Sequence, residues 1–155
     1  MIRPRHLLLL LLAAAALGAC TGTDGFGPAA TVLSDGGLRV TLTIEPKAIA
    51  APGKAVATLT YENTGTELVV LSSGAGCLSF AAVYRGGKRI PFPATEYGCT
   101  GGVTYRELRP GARLTQEWPL VVGGEHGARV PAGTYRFIAM TNTGHGNLQA
   151  TFVVR

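Results

Sequence analysis

Cysteine, histidine and carboxylate side chains are where this sequence could do chemistry. Outside the N-terminal twenty residues there are two cysteines, Cys77 and Cys99, and two histidines, His126 and His145. A metal site built on the cysteine pair would need further ligands. Both histidines lie far along the chain, each beside turn-forming glycines, so no metal is expected. A hydrolytic triad needs a nucleophile, a base and an orienting carboxylate within mutual reach. The only aspartates, Asp24 and Asp35, lie close to the N-terminal region, and Glu45, Glu62, Glu67 and Glu117 fall where solvated carboxylates belong. No Gly-x-Ser-x-Gly elbow and no phosphate loop occurs. Glu125 and His126, in "GGEHGARVPAG", could exchange a proton, but adjacent residues in a glycine-rich turn read as an exposed pair. Calcium would require a cluster of oxygen ligands, and the acids do not cluster. The expectation is a protein that is not an enzyme and carries no cofactor.

The third cysteine has a different setting. Arg3, Arg5 and His6 precede an unbroken apolar run of 11 residues, Leu7 to Leu17. A helix needs about 20 apolar residues to cross a bilayer, so this run is an export signal followed by the small residues Gly18 and Ala19. The junction Leu17-Gly18-Ala19-Cys20 resembles the lipobox of bacterial lipoproteins, which implies cleavage before Cys20 and lipidation of its thiol. Two or three acyl chains, at about 0.8 kcal/mol per buried methylene, hold far more firmly than one. Ordinary secretion with cleavage near Ala19 is the alternative. Thr21, rather than Asp, follows the cysteine, and by resemblance to the enterobacterial sorting rule this favours the outer membrane. With Cys20 taken by lipid, Cys77 and Cys99 remain as an even pair in an oxidising compartment, where a disulfide is expected.

Removing residues 1–19 leaves 136 residues with 12 Lys and Arg against 9 Asp and Glu. The basic residues are scattered, apart from Lys88-Arg89, so no nucleic-acid footprint is present. This length suits one domain. Residues 20–35, including "TGTDGFGPAATVLS", read as a lipidated tether that holds the domain roughly 20 Å from its anchor. Residues 36–155 form the domain. There, Leu38, Val40, Leu42 and Ile44 alternate with polar residues, as do Ala55, Ala57, Leu59 and Tyr61, which marks half-buried strands. Further strands are expected at Glu67–Leu71, Leu78–Tyr84, Lys88–Phe92, Thr104–Leu108, Ala112–Leu120, Gly133–Thr141 and Leu148–Val154. Pro91 and Pro93 lack donors and place the Lys88–Phe92 arm at a sheet edge. No stretch of the domain shows helical periodicity. About seven to nine short strands imply an all-β, antiparallel immunoglobulin-like β-sandwich.

Several landmarks are similar to those of bacterial immunoglobulin-like domains: "PGKAVATLTYENTGTELVVL", "SFAAVYRGGKRI", "LRPGARLTQEW" and "VPAGTYRF". Their order resembles the BsuPI-type intracellular proteinase inhibitor family over most of Leu38 to Arg155. The resemblance implies a sandwich in which Trp118 fills the core and the Tyr135 hydroxyl bonds back to the preceding loop, as in a tyrosine corner. It also supplies an alternative function, a proteinase inhibitor of the cell envelope, although no reactive-site loop can be matched. The loop "PATEYGCTGG" is pinned at Cys99, and Tyr97 beside it is a candidate contact anchor for a partner, the alternative being that it packs over the disulfide. The reading is a membrane-anchored lipoprotein of the cell envelope with an immunoglobulin-like binding or accessory domain. Its expected partners are the membrane, through lipid, and a protein or envelope component.

Overall fold

The computed structural model describes residues 31–155 except residue 97. The alternating apolar residues form strands as the sequence leads one to expect. In β2 (Leu38–Glu45) and β4 (Gly53–Asn63), every second residue is buried, because neighbouring side chains of a strand point to opposite faces. Together with β1 (Thr31–Asp35) and β9 (Arg113–Val122) they make an antiparallel sheet in the order β1-β2-β4-β9. A second sheet runs β3 (Ala48–Ile49), β11 (Asn147–Val154), β10 (Gly133–Thr141), β6 (Ser79–Arg85), β7 (Lys88–Ile90). Strands β5 (Val69–Ser73) and β8 (Thr104–Leu108) pair with each other as a separate ribbon.

The two larger sheets face each other across one core. Leu42, Ile44, Leu59 and Leu120 of the first sheet and Val83, Phe137, Leu148 and Phe152 of the second are buried in a single cluster. Trp118 joins it, its ring 5.5 Å from that of Phe137. Phe92, Tyr135 and Phe152 pack as an aromatic trio, with Tyr135 and Phe152 stacked at 5.4 Å and Phe92 edge-on to both. The strand order, with the first strands shared between sheets, is that of an immunoglobulin-like sandwich. The tyrosine corner is present: the Tyr135 hydroxyl donates to the Pro131 carbonyl and accepts from Arg85, 3.1 Å away. The Arg85 guanidinium also donates to the Ala132 carbonyl at 2.9 Å and lies over the Tyr135 ring.

Four details differ from the sequence reading. The stretch 20–35 is not a tether to its end, because Thr31–Asp35 pairs residue for residue with Leu38–Leu42 across the Gly36-Gly37 turn. The described residues form eleven strands rather than seven to nine, the additions being β1 and the two-residue β3. Strand β3 runs parallel to β11, so the sheets are not wholly antiparallel. The arm expected over Lys88–Phe92 stops at Ile90, since Pro91 cannot donate to a ladder and Phe92 turns into the core. That arm does lie at a sheet edge.

Candidate functional site

Strand β6 carries apolar residues on both of its faces, "SFAAVY". Ala81 and Val83 point into the core, opposite Ala139 and Phe137 of β10. The other phase, Phe80, Ala82 and Tyr84, faces outward beside Met140, Ile138 and Arg136. Sheets apolar on both faces are covered on both. Here the cover is the segment that follows β7. Phe92 is fully buried and fixes where this segment leaves the core. One 3-10 turn, Pro93–Thr95, comes next. The Thr95 hydroxyl donates to the Phe92 carbonyl at 3.0 Å, and Arg89 donates to the Thr95 carbonyl and pairs with Glu96, both at 3.3 Å. The disulfide between Cys77 and Cys99, with Cα atoms 5.5 Å apart, closes the far side. Asn142 then donates to the Cys77 carbonyl at 3.0 Å.

This loop stands as a ridge between two open grooves that share Phe80, Ala81, Thr95 and Gly98. The larger, about 620 Å³, has Phe80, Ala82, Tyr84 and Met140 as its apolar floor, with Arg89, Glu96 and Asn142 on its rim. The smaller, about 360 Å³, runs past Ser79, Glu117, Trp118 and Pro119 to His126. Taken with its rim, the larger groove is lined about equally by polar and apolar surface. Charge on this rim is balanced by the Arg89–Glu96 pair.

The expected disulfide between Cys77 and Cys99 is formed. Cys20 and Tyr97 lie outside the described residues; the neighbours of Tyr97, Glu96 and Gly98, line the larger groove. Glu125 and His126 are both exposed in their turn. His145 lies 3.9 Å from the exposed carboxylate of Asp35. Among the described residues no three His, Cys, Asp or Glu side chains gather to hold a metal ion. Arg89, Met140 and Asn142 did not stand out in the sequence. The signal that could have found the groove is the two-faced apolar character of "SFAAVY" and "FIAM", which announces a sheet covered on its outer side.

No protein-family model matches the chain, and no curated protein matches it. Among solved structures, the chain is similar to part of a β-glucosidase from Listeria innocua in complex with glucose (10% identity, TM-score 0.40, 73% of this chain and 15% of that one). It is also similar to part of the alkylpurine DNA glycosylase AlkC from Pseudomonas fluorescens (13% identity, TM-score 0.40, 72% and 28%). A third is the β-glucosidase EmGH1 from Erythrobacter marinus (11% identity, TM-score 0.43, 74% and 15%). The chain spans less than a third of the length of each, and likeness at this level carries no inference about activity.

Proposed function

We propose that the chain is a lipid-anchored lipoprotein of the cell envelope whose immunoglobulin-like domain binds a protein or envelope component in the groove beside the disulfide. The observation that carries this reading is the stapled loop over an apolar floor. Phe92, Thr95 and the Cys77–Cys99 bridge hold the loop in place, so little conformational entropy is lost when a partner docks. Tyr97, the candidate contact anchor, belongs to this same loop. The leader and the Leu17-Gly18-Ala19-Cys20 junction support the envelope location.

A photoreactive residue at position 140, in the full chain in its native envelope, is expected to label one component. Tyr84→Ala, which removes part of the floor, should reduce that labelling by roughly tenfold or more, as loss of a contact at the centre of an interface does. Equal labelling by both forms would remove the groove from consideration. A second reading, an envelope proteinase inhibitor, is favoured by the ridge itself, since a rigid loop standing between two grooves is a shape a protease cleft can receive. Tight inhibition across a protease panel, lost on reduction of the disulfide, would support it over an accessory role.

A further inference from the structure

The net charge of the domain is not spread evenly along the strands. Register places five basic residues at one end of the sandwich. Lys54 begins β4 opposite the end of β9, Lys47 accepts the Val153 amide at the end of β11, Arg85 and Lys88 flank the β6–β7 turn, and Arg129 lies in the β9–β10 connection. Among the described residues only Glu45 and Glu125 oppose them there, setting Arg155 aside. Lys54, Lys88 and Arg129 are exposed, and none of the five forms an ion pair among the described residues. The opposite end, with the Gly36-Gly37 turn and the ribbon, carries Arg39, Arg106, Arg109 and Arg113 against Asp35, Glu62, Glu67 and Glu107, and is neutral. Glu62 there is bound by both Arg39 and Arg113.

The first residue of β1, Thr31, is opposite Leu42, midway along β2, and β1 runs from there toward the neutral end. The chain coming from Cys20 therefore joins β1 at mid-height, with the basic end behind its direction of travel. Eleven residues cannot reach further than about 40 Å even fully extended, so this end is held within reach of whatever surface holds the anchor. Basic groups so placed are attracted to an anionic leaflet when within a Debye length of it.

We propose that the Lys47–Lys54–Arg85–Lys88–Arg129 end of the sandwich rests on anionic phospholipid headgroups. This contact would orient the domain with the ribbon and the disulfide directed away from the membrane. The proposal rests on Cys20 being the anchor, and its test is made independent of the anchor by using the full chain with Cys20→Ser. Sedimentation with phosphatidylcholine vesicles, with and without phosphatidylglycerol at about one lipid in three, reads the headgroup contact alone. Binding is expected only to the anionic vesicles and should weaken from low salt to about 0.15 M. The triple change Lys54→Glu, Lys88→Glu, Arg129→Glu should weaken it by at least about tenfold, while Arg109→Glu at the other end leaves it unchanged. Equal binding to both vesicle types, no binding to either, or binding indifferent to the triple change overturns the proposal. If both forms ignore vesicles but the parent alone binds a soluble polyanion such as dextran sulfate, the occupant is not lipid and the proposal likewise fails. Failure of the anchor itself would show separately, as absence of lipid on Cys20 in the parent chain.

Discussion

Tyr135 joins one strand to the loop before it through a single oxygen. Its hydroxyl donates to the Pro131 carbonyl and accepts from Arg85, whose guanidinium also holds the Ala132 carbonyl. Tyr135→Phe keeps the ring stacked on Phe152 but leaves the Pro131 carbonyl without that donor. The loss is expected to be about 1–2 kcal/mol in a urea titration, with the groove residues untouched. Gly133 explains why the arginine fits: a Cβ there would come within 2.7 Å of the Arg85 guanidinium, at a φ of +144°. Tyr61 is a tyrosine of another kind. It is buried to 1% exposure and its hydroxyl makes no hydrogen bond of normal geometry, with the Ser79 and Thr143 hydroxyls nearby. Burial raises its pKa above the ordinary value, and those hydroxyls only partly offset the rise. In the unfolded chain Tyr61 ionises near pH 10, while in the fold it stays neutral to higher pH. Stability is therefore full below about pH 10 and declines as pH rises from there through the folded pKa. Tyr61→Phe should flatten that alkaline decline in a pH series of melting temperatures, and an unchanged slope would mean that other groups set it.

At the scale of elements, the disulfide is where strands and loop depend on each other. It spans 22 residues of sequence, joining the start of β6 to the loop after β7. The chain-entropy estimate for such a loop is about 3 kcal/mol. Replacing both cysteines with serine should lower the melting temperature by roughly 8–20 °C while leaving far-UV circular dichroism unchanged, because β2, β4 and β10 lie outside the bridge. Two free thiols in the purified, unreduced protein would contradict the pairing. Close packing beside the bridge is set by glycine: a Cβ on Gly76 would lie 2.6 Å from the Gly101 carbonyl. Most of these elements could be read from the sequence. Leu38–Ile44, Ala55–Tyr61 and Gly133–Thr141 alternate cleanly because one face meets the core. Strand β1 was missed because Thr31–Asp35 follows a Gly- and Ala-rich stretch and is held by its pairing with β2 more than by any pattern of its own. Strand β3 has only two residues, too few for a period. The ribbon could not be told from a third member of a large sheet, since pairing partners are not written into a strand's own alternation. The groove stayed hidden for a related reason. Its residues come from β6, β7, β10 and a loop, and only the sheet order brings Arg89, Phe80 and Met140 together.

For the whole molecule, the proposed lipidation of Cys20 makes a prediction about location. Cys20→Ser should move the protein from the membrane fraction to the soluble fraction after a high-salt wash, which strips headgroup contacts but not acyl chains. Retention equal to the parent's would refute lipid as the anchor. Strand β11 has a further consequence for how the protein is made. It is the last strand in the chain, yet it lies inside the second sheet, paired on one side with β10 and on the other with β3, and it brings Leu148, Phe152 and Val154 to the core. Until Asn147–Val154 has been synthesised, β3 has no partner and the aromatic trio lacks Phe152. The core of the sandwich therefore stays open until Asn147–Val154 is in place between β10 and β3.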